Sequence, residues 1–131
     1  MDTESIIRTL YKAWEKGIYV VGPTYLAREY RIPKSTAQKI LFDLEKSGYG
    51  SYVKKKGFVL NERGINAGKK VTRKHRLLEC LLDEIGLSRE VICEEASRID
   101  HVIGENFEKV LEKKYGSRER CPCGNVIPCL S

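Results

Sequence analysis

Only two histidines, His75 and His101, occur in this 131-residue chain, and no apolar run approaches the roughly 20 residues needed to span a bilayer. The start, MDTESIIRTL, lacks the basic region and long apolar stretch of a signal peptide. A cytoplasmic protein with no membrane partner is expected. Nothing resembles a hydrolase triad, a phosphate-binding glycine loop or a nucleotide fingerprint, so an enzyme is not expected. In a reducing compartment the five cysteines read as ligands or redox groups before structural disulfides.

At 131 residues and 41% hydrophobic, the chain can bury one core, or two small ones that share an interface. The formal net charge of +6 is unevenly spread. Residues 49 to 80 hold nine Lys or Arg against two acids, and residues 81 to 131 hold seven against ten. A basic front and a mildly acidic back place a nucleic-acid face on one part only.

The first half predicts a winged helix-turn-helix. Ile6, Ile7, Leu10, Tyr11 and Trp14 form the stripe of an amphipathic helix that stops at Gly17, and Ile18 to Val21 is a short extended piece. Gly22-Pro23-Thr24 opens a second helix. After Pro33, with Lys34 or Ser35 as cap, a third helix turns Ala37, Ile40, Leu41 and Leu44 inward. Its other face shows Ser35, Thr36, Gln38, Lys39 and Asp43. Helix, tight turn, helix is a DNA-reading unit in which the start of the second helix meets base edges in the major groove. Pro33, Lys34, Ser35, Thr36, Gln38 and Lys39 are therefore the candidate readers.

The segment YGSYVKKKGFVLNERG alternates apolar and polar residues about a Lys-rich turn closed by Gly57, which predicts a two-stranded hairpin. Lys54, Lys55 and Lys56 at its tip would meet phosphates as a wing. The plainer alternative is a solvated hairpin whose lysines protect an edge strand.

From Glu62 the pattern is helical. Ile65, Val71, Leu77, Leu78, Leu81, Leu82 and Ile85 line a long helix ending at Gly86. Leu87-Ser88 caps the next, with Val91, Ile92, Ala96, Ile99, Val102 and Ile103, and a last helix carries Phe107, Val110 and Leu111. This apolar surface exceeds what so small a fragment covers alone, so a two-fold homodimer is expected, as suits a palindromic DNA site. His75 and Glu79 stand one helical turn apart, and Cys93, Ser97, Asp100 and His101 fall at i, i+4, i+7 and i+8 of the next helix. That arrangement suits a metal held between two helices. The expected division is a winged-helix DNA-binding domain over 1–63, a helical dimerisation and metal-binding domain over 64–115, and a Cys-containing tail over 116–131.

The wording of several stretches, ESIIRTLYKAWEKG, KSTAQKILFDLEKSG, LNERGINAGKKVTRKHRLLECLL with DEIGL, EEASRIDHVI and CPCGNVIP, resembles the diphtheria toxin repressor and manganese transport regulator family of metal-dependent repressors. The resemblance covers nearly the whole chain. It implies a winged-helix domain, a helical dimerisation domain and metal-activated binding to operators of metal-uptake genes. The SH3-like domain that some members append is not expected here.

Carried over residue by residue, His75 and Glu79 match the family's ancillary metal site, with Cys93 in place of its second histidine. In the primary site His101 matches its histidine and Asp100 replaces a glutamate, while Ser97 and Ser5 stand where stronger ligands are usual. Two serines leave that site weak. Cys121, Cys123 and Cys129 lie in CPCGNVIPC, a loop whose Pro and Gly leave thiols free to wrap an ion, and Cys123 stands where relatives often carry histidine. With Cys93, and Cys80 or His75, the tail could complete four ligands. The sensing site is thus expected to have moved toward the cysteines. Thiolate-rich sites favour Zn, Fe(II) or an iron–sulfur cluster over Mn or Mg.

Each cysteine alone can equally be a small buried hydrophobe, the reading preferred for Cys80. Arg73, Lys74 and Arg76 read as a solvated face, and helix packing is expected not to depend on the tail. The expected function is a homodimeric repressor on double-stranded DNA answering a divalent transition metal, Fe(II) before Mn or Zn. Two alternatives stand beside it: an iron–sulfur or redox-sensing regulator, and a winged-helix adaptor docking a protein in iron transport.

Overall fold

The computed structural model describes residues 2–130. Six helices and one hairpin follow in the order α1 (Thr3–Glu15), α2 (Pro23–Tyr30), α3 (Lys34–Lys46), β1 (Gly50–Val53), β2 (Gly57–Leu60), α4 (Glu62–Glu84), α5 (Arg89–Ile99) and α6 (Glu105–Tyr115). The mainly helical winged-helix class is as the patterning predicts. The chain divides into two units, one of Ile6–Gly68, the other of Lys69–Ser131 with Met1–Ser5. Both α1 and α4 are continuous across that division.

In the Ile6–Gly68 unit, Leu10, Leu26, Ala37, Leu41 and Phe58 are almost wholly buried. Each leucine contributes about 1.5–3 kcal/mol by leaving water. Two expected core residues lie at the rim. Ala13 is buried where Trp14 was expected, and Trp14 stacks half-exposed on Tyr11 at 5.6 Å. Ile40 is also only half-buried, because the inward line of α3 runs through Ala37, Leu41 and Leu44. Pro33 is the N-cap of α3, one residue earlier than the sequence suggested, and no side chain caps that end.

The hairpin is antiparallel, pairing Gly50 with Leu60 and Val53 with Gly57. Val21 of the extended piece exchanges two backbone hydrogen bonds with Phe58 and anchors the wing. Gly57 makes this close approach possible: its φ is +138°, and a Cβ there would lie 2.6 Å from the Val21 carbonyl oxygen.

In the other unit, Leu77, Leu78, Cys80, Leu82, Ile92, Ala96, Leu111 and Tyr115 form the core. Ser88 caps α5, its hydroxyl accepting from the Glu90 N–H. The helix ends at Ile99 with Asp100 as C-cap, so His101 and Val102 lie in the following turn and Ile103 just beyond it, not on the helical stripe expected of them. Val102 accordingly is 67% exposed. The tail folds as a tight loop. Gly124 N–H donates to the Cys121 carbonyl, Cys121 N–H to Asn125 and Ile127 N–H to Glu119. Cys121 and Ile127 enter the core, which corrects the expectation that helix packing is independent of the tail.

Candidate metal centre and nucleic-acid interface

The helical period puts His75 and Glu79 on one face of α4, where His75 Nε2 and Glu79 Oε2 lie 3.7 Å apart. From α5, Cys93 Sγ approaches His75 Nε2 at 3.6 Å. From the tail loop, Cys123 Sγ approaches Glu79 Oε2 at 3.4 Å. The result is two triads that share one carboxylate: His75, Glu79 and Cys93, and Glu79, Cys121 and Cys123, each with ligand atoms within 4.8 Å of one another. His75 and Glu79 are 3% and 2% exposed.

The electrostatics of the cluster suit a cation. Burial, then the Glu79 carboxylate, pushes the Cys123 thiol up to about 12. Burial first and Glu79 second also raise Cys121. A divalent ion held by these groups would offset the charge of the buried carboxylate and let the thiols ionise. Imidazole, carboxylate and thiols drawn from two helices and a loop therefore fit such an ion.

The other expected ligands are placed differently. Asp100 does not join either triad: its Oδ2 lies 2.7 Å from His75 Nδ1, the nitrogen turned away from the cluster. A carboxylate in that position fixes the ring and its tautomer. His101 faces Asp2, Nε2 to Oδ2 at 3.8 Å. Ser97 donates its hydroxyl to the Cys93 carbonyl, and Ser5 donates both N–H and hydroxyl to Asp2. Cys129 is exposed and outside both triads. Cys80 is fully buried in the core, as a small hydrophobe would be, and burial raises its thiol pKa.

The basic run on α4 is not a solvated face. Arg73 makes a bidentate pair with Glu112 and donates to the carbonyls of Gly116 and Pro128. Arg76 donates to the Val126 carbonyl, and Lys74 pairs with Glu4 at 2.9 Å. Arg76 and Lys74 are 4% and 8% exposed. These cations pin the tail loop and the first turn of α1 to α4. Sequence reasoning missed Asp2, Arg73, Arg76 and Glu112. Only Asp2 left a signal, an acidic residue three before Ser5 at the start of an amphipathic stripe, which is N-cap spacing.

In the Ile6–Gly68 unit the candidate DNA-reading residues share exposure. Pro33, Lys34, Ser35, Thr36, Gln38 and Lys39 are all exposed at the start of α3, as are Lys54, Lys55 and Lys56 at the wing tip. Lys55 holds the left-handed φ of +65° that turns the tip.

A winged helix joined by one long helix to a helical unit that carries a ligand cluster defines the class of effector-responsive DNA-binding regulators. Residues 1–58 match the N-terminal DNA-binding domain of the iron-dependent repressors, and residues 61–129 match their metal-binding and dimerisation domain. The chain belongs to the iron-dependent repressor family. It is 36% identical over 132 residues to the diphtheria toxin repressor of Corynebacterium jeikeium, covering 98% of this chain and 53% of that relative. The chain thus spans about half the length of such relatives. Among solved structures, a manganese-dependent transcriptional repressor in complex with manganese superposes with a TM-score of 0.86 at 25% identity, covering 96% of this chain and 58% of that one. A hypothetical protein from Sulfolobus solfataricus superposes with a TM-score of 0.73 at 25% identity and covers 96% of both chains.

Proposed function

We propose that this chain is a homodimeric transcriptional repressor that binds palindromic operator DNA in the cytoplasm in answer to a divalent transition metal. The observation that carries the reading is the convergence of His75, Glu79, Cys93, Cys121 and Cys123 about one buried carboxylate, in the unit that does not carry the winged helix. In this reading residues 1–63 bind DNA, residues 64–115 dimerise and hold the ion, and the 116–131 tail completes the ligand set with its two CPC thiols. Asp100 orients His75. When bound, the ion would supply a positive centre beside the buried Glu79 carboxylate and let the neighbouring thiols give up their protons. The family is named for iron, and three thiols with an imidazole and a carboxylate accept Fe(II) or Zn more readily than Mn.

On the DNA side, Ser35, Thr36, Gln38 and Lys39 stand where a recognition helix meets base edges, with Pro33 and Lys34 at its start and Lys54, Lys55 and Lys56 on phosphates. For the dimer, Val110 and Phe107 of α6 are exposed, 62% and 40%, beside an apolar cavity of about 400 Å³ lined also by Leu81, Leu111 and Tyr115. A second copy of the chain covers such a face.

Neither alternative is favoured. Iron–sulfur clusters are held by cysteine thiolates, and here a carboxylate and an imidazole stand among the thiols. The adaptor reading leaves the exposed lysines of the wing without a role. The test is a gel shift of the protein on its own upstream DNA, with and without Fe(II), Zn(II) or Mn(II), beside metal and sulfide analysis of anaerobically purified protein. Metal-dependent retardation with no acid-labile sulfide is the expected result. Retardation that ignores every ion, or stoichiometric sulfide, sinks the reading.

A further inference from the structure

Within the Ile6–Gly68 unit, α3 is joined to the wing by two side chains. Phe42 packs its ring against that of Tyr52 in β1, with centroids 4.7 Å apart. One turn further along, Glu45 Oε2 accepts the Tyr52 N–H at 2.7 Å. Phe42 and Glu45 fall four and seven residues after Gln38, so the three share one stripe of α3, and all are exposed. The helix face that carries Gln38 therefore also holds the wing.

The Tyr52 N–H is a group of the sheet edge. Tyr52 sits opposite Phe58, and Phe58 turns both of its backbone groups to Val21, donating at 2.8 Å and accepting at 2.9 Å. In an antiparallel pair the two residues of such a rung point their N–H and C=O groups away from each other, which puts those of Tyr52 on the free edge of β1. One rung of the wing is thus gripped from both sides, by Val21 at one edge and by Glu45 at the other. Tyr52 is two residues before Lys54 and Phe58 two after Lys56, so this rung lies directly below the basic tip.

On charge alone, Glu45 works against DNA binding. An exposed carboxylate about two helical turns from Gln38 repels the phosphates that the wing lysines attract. Its bond to the edge N–H is the compensating gain, since a carboxylate accepts such a bond more strongly than a neutral oxygen does. Asn61 and Arg63 hold the base of the wing, donating to the carbonyls of Gly48 at 3.0 Å and Ser47 at 2.7 Å. They fix where β1 begins. Glu45 acts nearer the tip, where it sets the direction in which the wing leaves α3.

We propose that Glu45 is a positioning residue for DNA binding: through the Tyr52 N–H it sets the wing against α3, so that Lys54 reaches a phosphate while Gln38 meets a base. The inference rests on the repressor reading above, in which the wing lysines lie on phosphates. It assigns Glu45 no contact with DNA.

The test separates the charge of Glu45 from its hydrogen bond. Glu45→Gln removes the charge and keeps an oxygen that accepts the Tyr52 N–H, whereas Glu45→Met removes both at similar helix propensity. If charge were the whole effect, the two variants would bind DNA alike and more tightly than the wild type. Binding is measured against salt for the full chain on the gene's own upstream duplex, loaded with whichever of Fe(II), Zn(II) or Mn(II) gives the strongest retardation. Glu45→Gln is expected to bind at least as tightly as the wild type, and adding Lys54→Ala should still lower its salt slope by about 1. Glu45→Met is expected to bind more weakly than Glu45→Gln, with a slope already lower by about 1 and no further loss on adding Lys54→Ala. By NMR hydrogen exchange the Tyr52 amide should be protected in the wild type and in Glu45→Gln, and should exchange faster in Glu45→Met. Equal affinities and slopes for the two variants overturn the inference, as does a Glu45→Met chain in which Lys54→Ala still lowers the slope. If Lys54→Ala leaves the wild-type slope unchanged, the placement of the wing on phosphates fails and takes the inference with it. A wild-type chain that retards this DNA with none of the three ions overturns the repressor reading itself, an outcome distinguishable from the others.

Discussion

Cys123 Sγ lies 3.4 Å from Glu79 Oε2 across 44 residues of sequence, and this contact brings the tail thiols to the histidine and cysteine of the helices. Before an ion enters, it sets a carboxylate against a thiol. Metal binding at these groups would therefore be tied to proton release.

Affinity for the ion should rise with pH. Burial and Glu79 raise both Cys121 and Cys123, the latter to about 12, so both are protonated in the metal-free protein at neutral pH. Each proton displaced on binding makes affinity climb by up to about tenfold per pH unit, until the pH reaches the raised thiol values. Chelator competition with Zn(II) between about pH 6 and 8 measures the slope. A flat profile would mean that the thiols are not ligands.

Loss of response should follow the cysteines. Cys93→Ser or Cys123→Ser should lower metal affinity strongly and remove the metal-dependent change in DNA binding, whereas Ser97→Ala should leave both nearly intact, since that hydroxyl bonds the Cys93 carbonyl. Cys123 is the cleaner choice in the tail because it lies outside the core cluster, of which Cys121 is a member. If Ser97→Ala abolishes metal binding and Cys123→Ser does not, the ligand assignment is wrong.

Removing Arg73 should loosen the tail as well as the fold. Arg73→Met cuts the Glu112 pair and the bonds to Gly116 and Pro128, and charge-assisted bonds of this kind contribute roughly 1.5–3 kcal/mol each when buried, less here because Glu112 is 40% exposed. Thermal unfolding of the metal-free protein should fall by several degrees, and metal affinity should fall with it. An unchanged melting temperature would show that the tail is held by other contacts.

DNA contacts should separate into two kinds. Gln38→Ala should cost roughly 1–3 kcal/mol on the cognate site alone, while Lys54→Ala should weaken all DNA alike and reduce the salt slope by about 1. Lys55 is the poorer choice for the charge test, because it holds the left-handed φ of +65° that turns the wing tip, and a substitution there acts on the turn as well as on the charge. Equal losses for Gln38→Ala on cognate and random duplexes would remove it from the readout.

Sedimentation should give twice the mass of one chain, with or without metal. Val110→Glu, on the exposed face of α6, should yield monomers with native helix content, since Val110 is 62% exposed and outside the core. A wild-type monomer at micromolar concentration would reject the interface.

Local patterns made the winged helix legible in the sequence. The stripe of α1, the proline before α3 and the glycine-closed lysine turn are all short-range signals, and each element formed close to where they placed it. The triad halves were legible for the same reason, because His75 and Glu79 need only a helical turn to meet. The errors fell where distant segments decide. Arg73, Lys74 and Arg76 read as a solvated run because their partners, Glu112, Pro128, Glu4 and Val126, are up to 70 residues away.

The sequence by itself determined which residues could serve as ligands, the helices that carry His75, Glu79 and Cys93, and the wing. Those are matters of residue type and period, fixed by the backbone geometry of single elements. The tertiary structure alone decided that the CPC loop closes onto Glu79, that Asp100 backs His75 instead of joining the triads, and that Asp2 meets His101. Such pairings depend on how α4, α5 and the tail pack, and packing brings together groups whose separation along the chain carries no periodic signal.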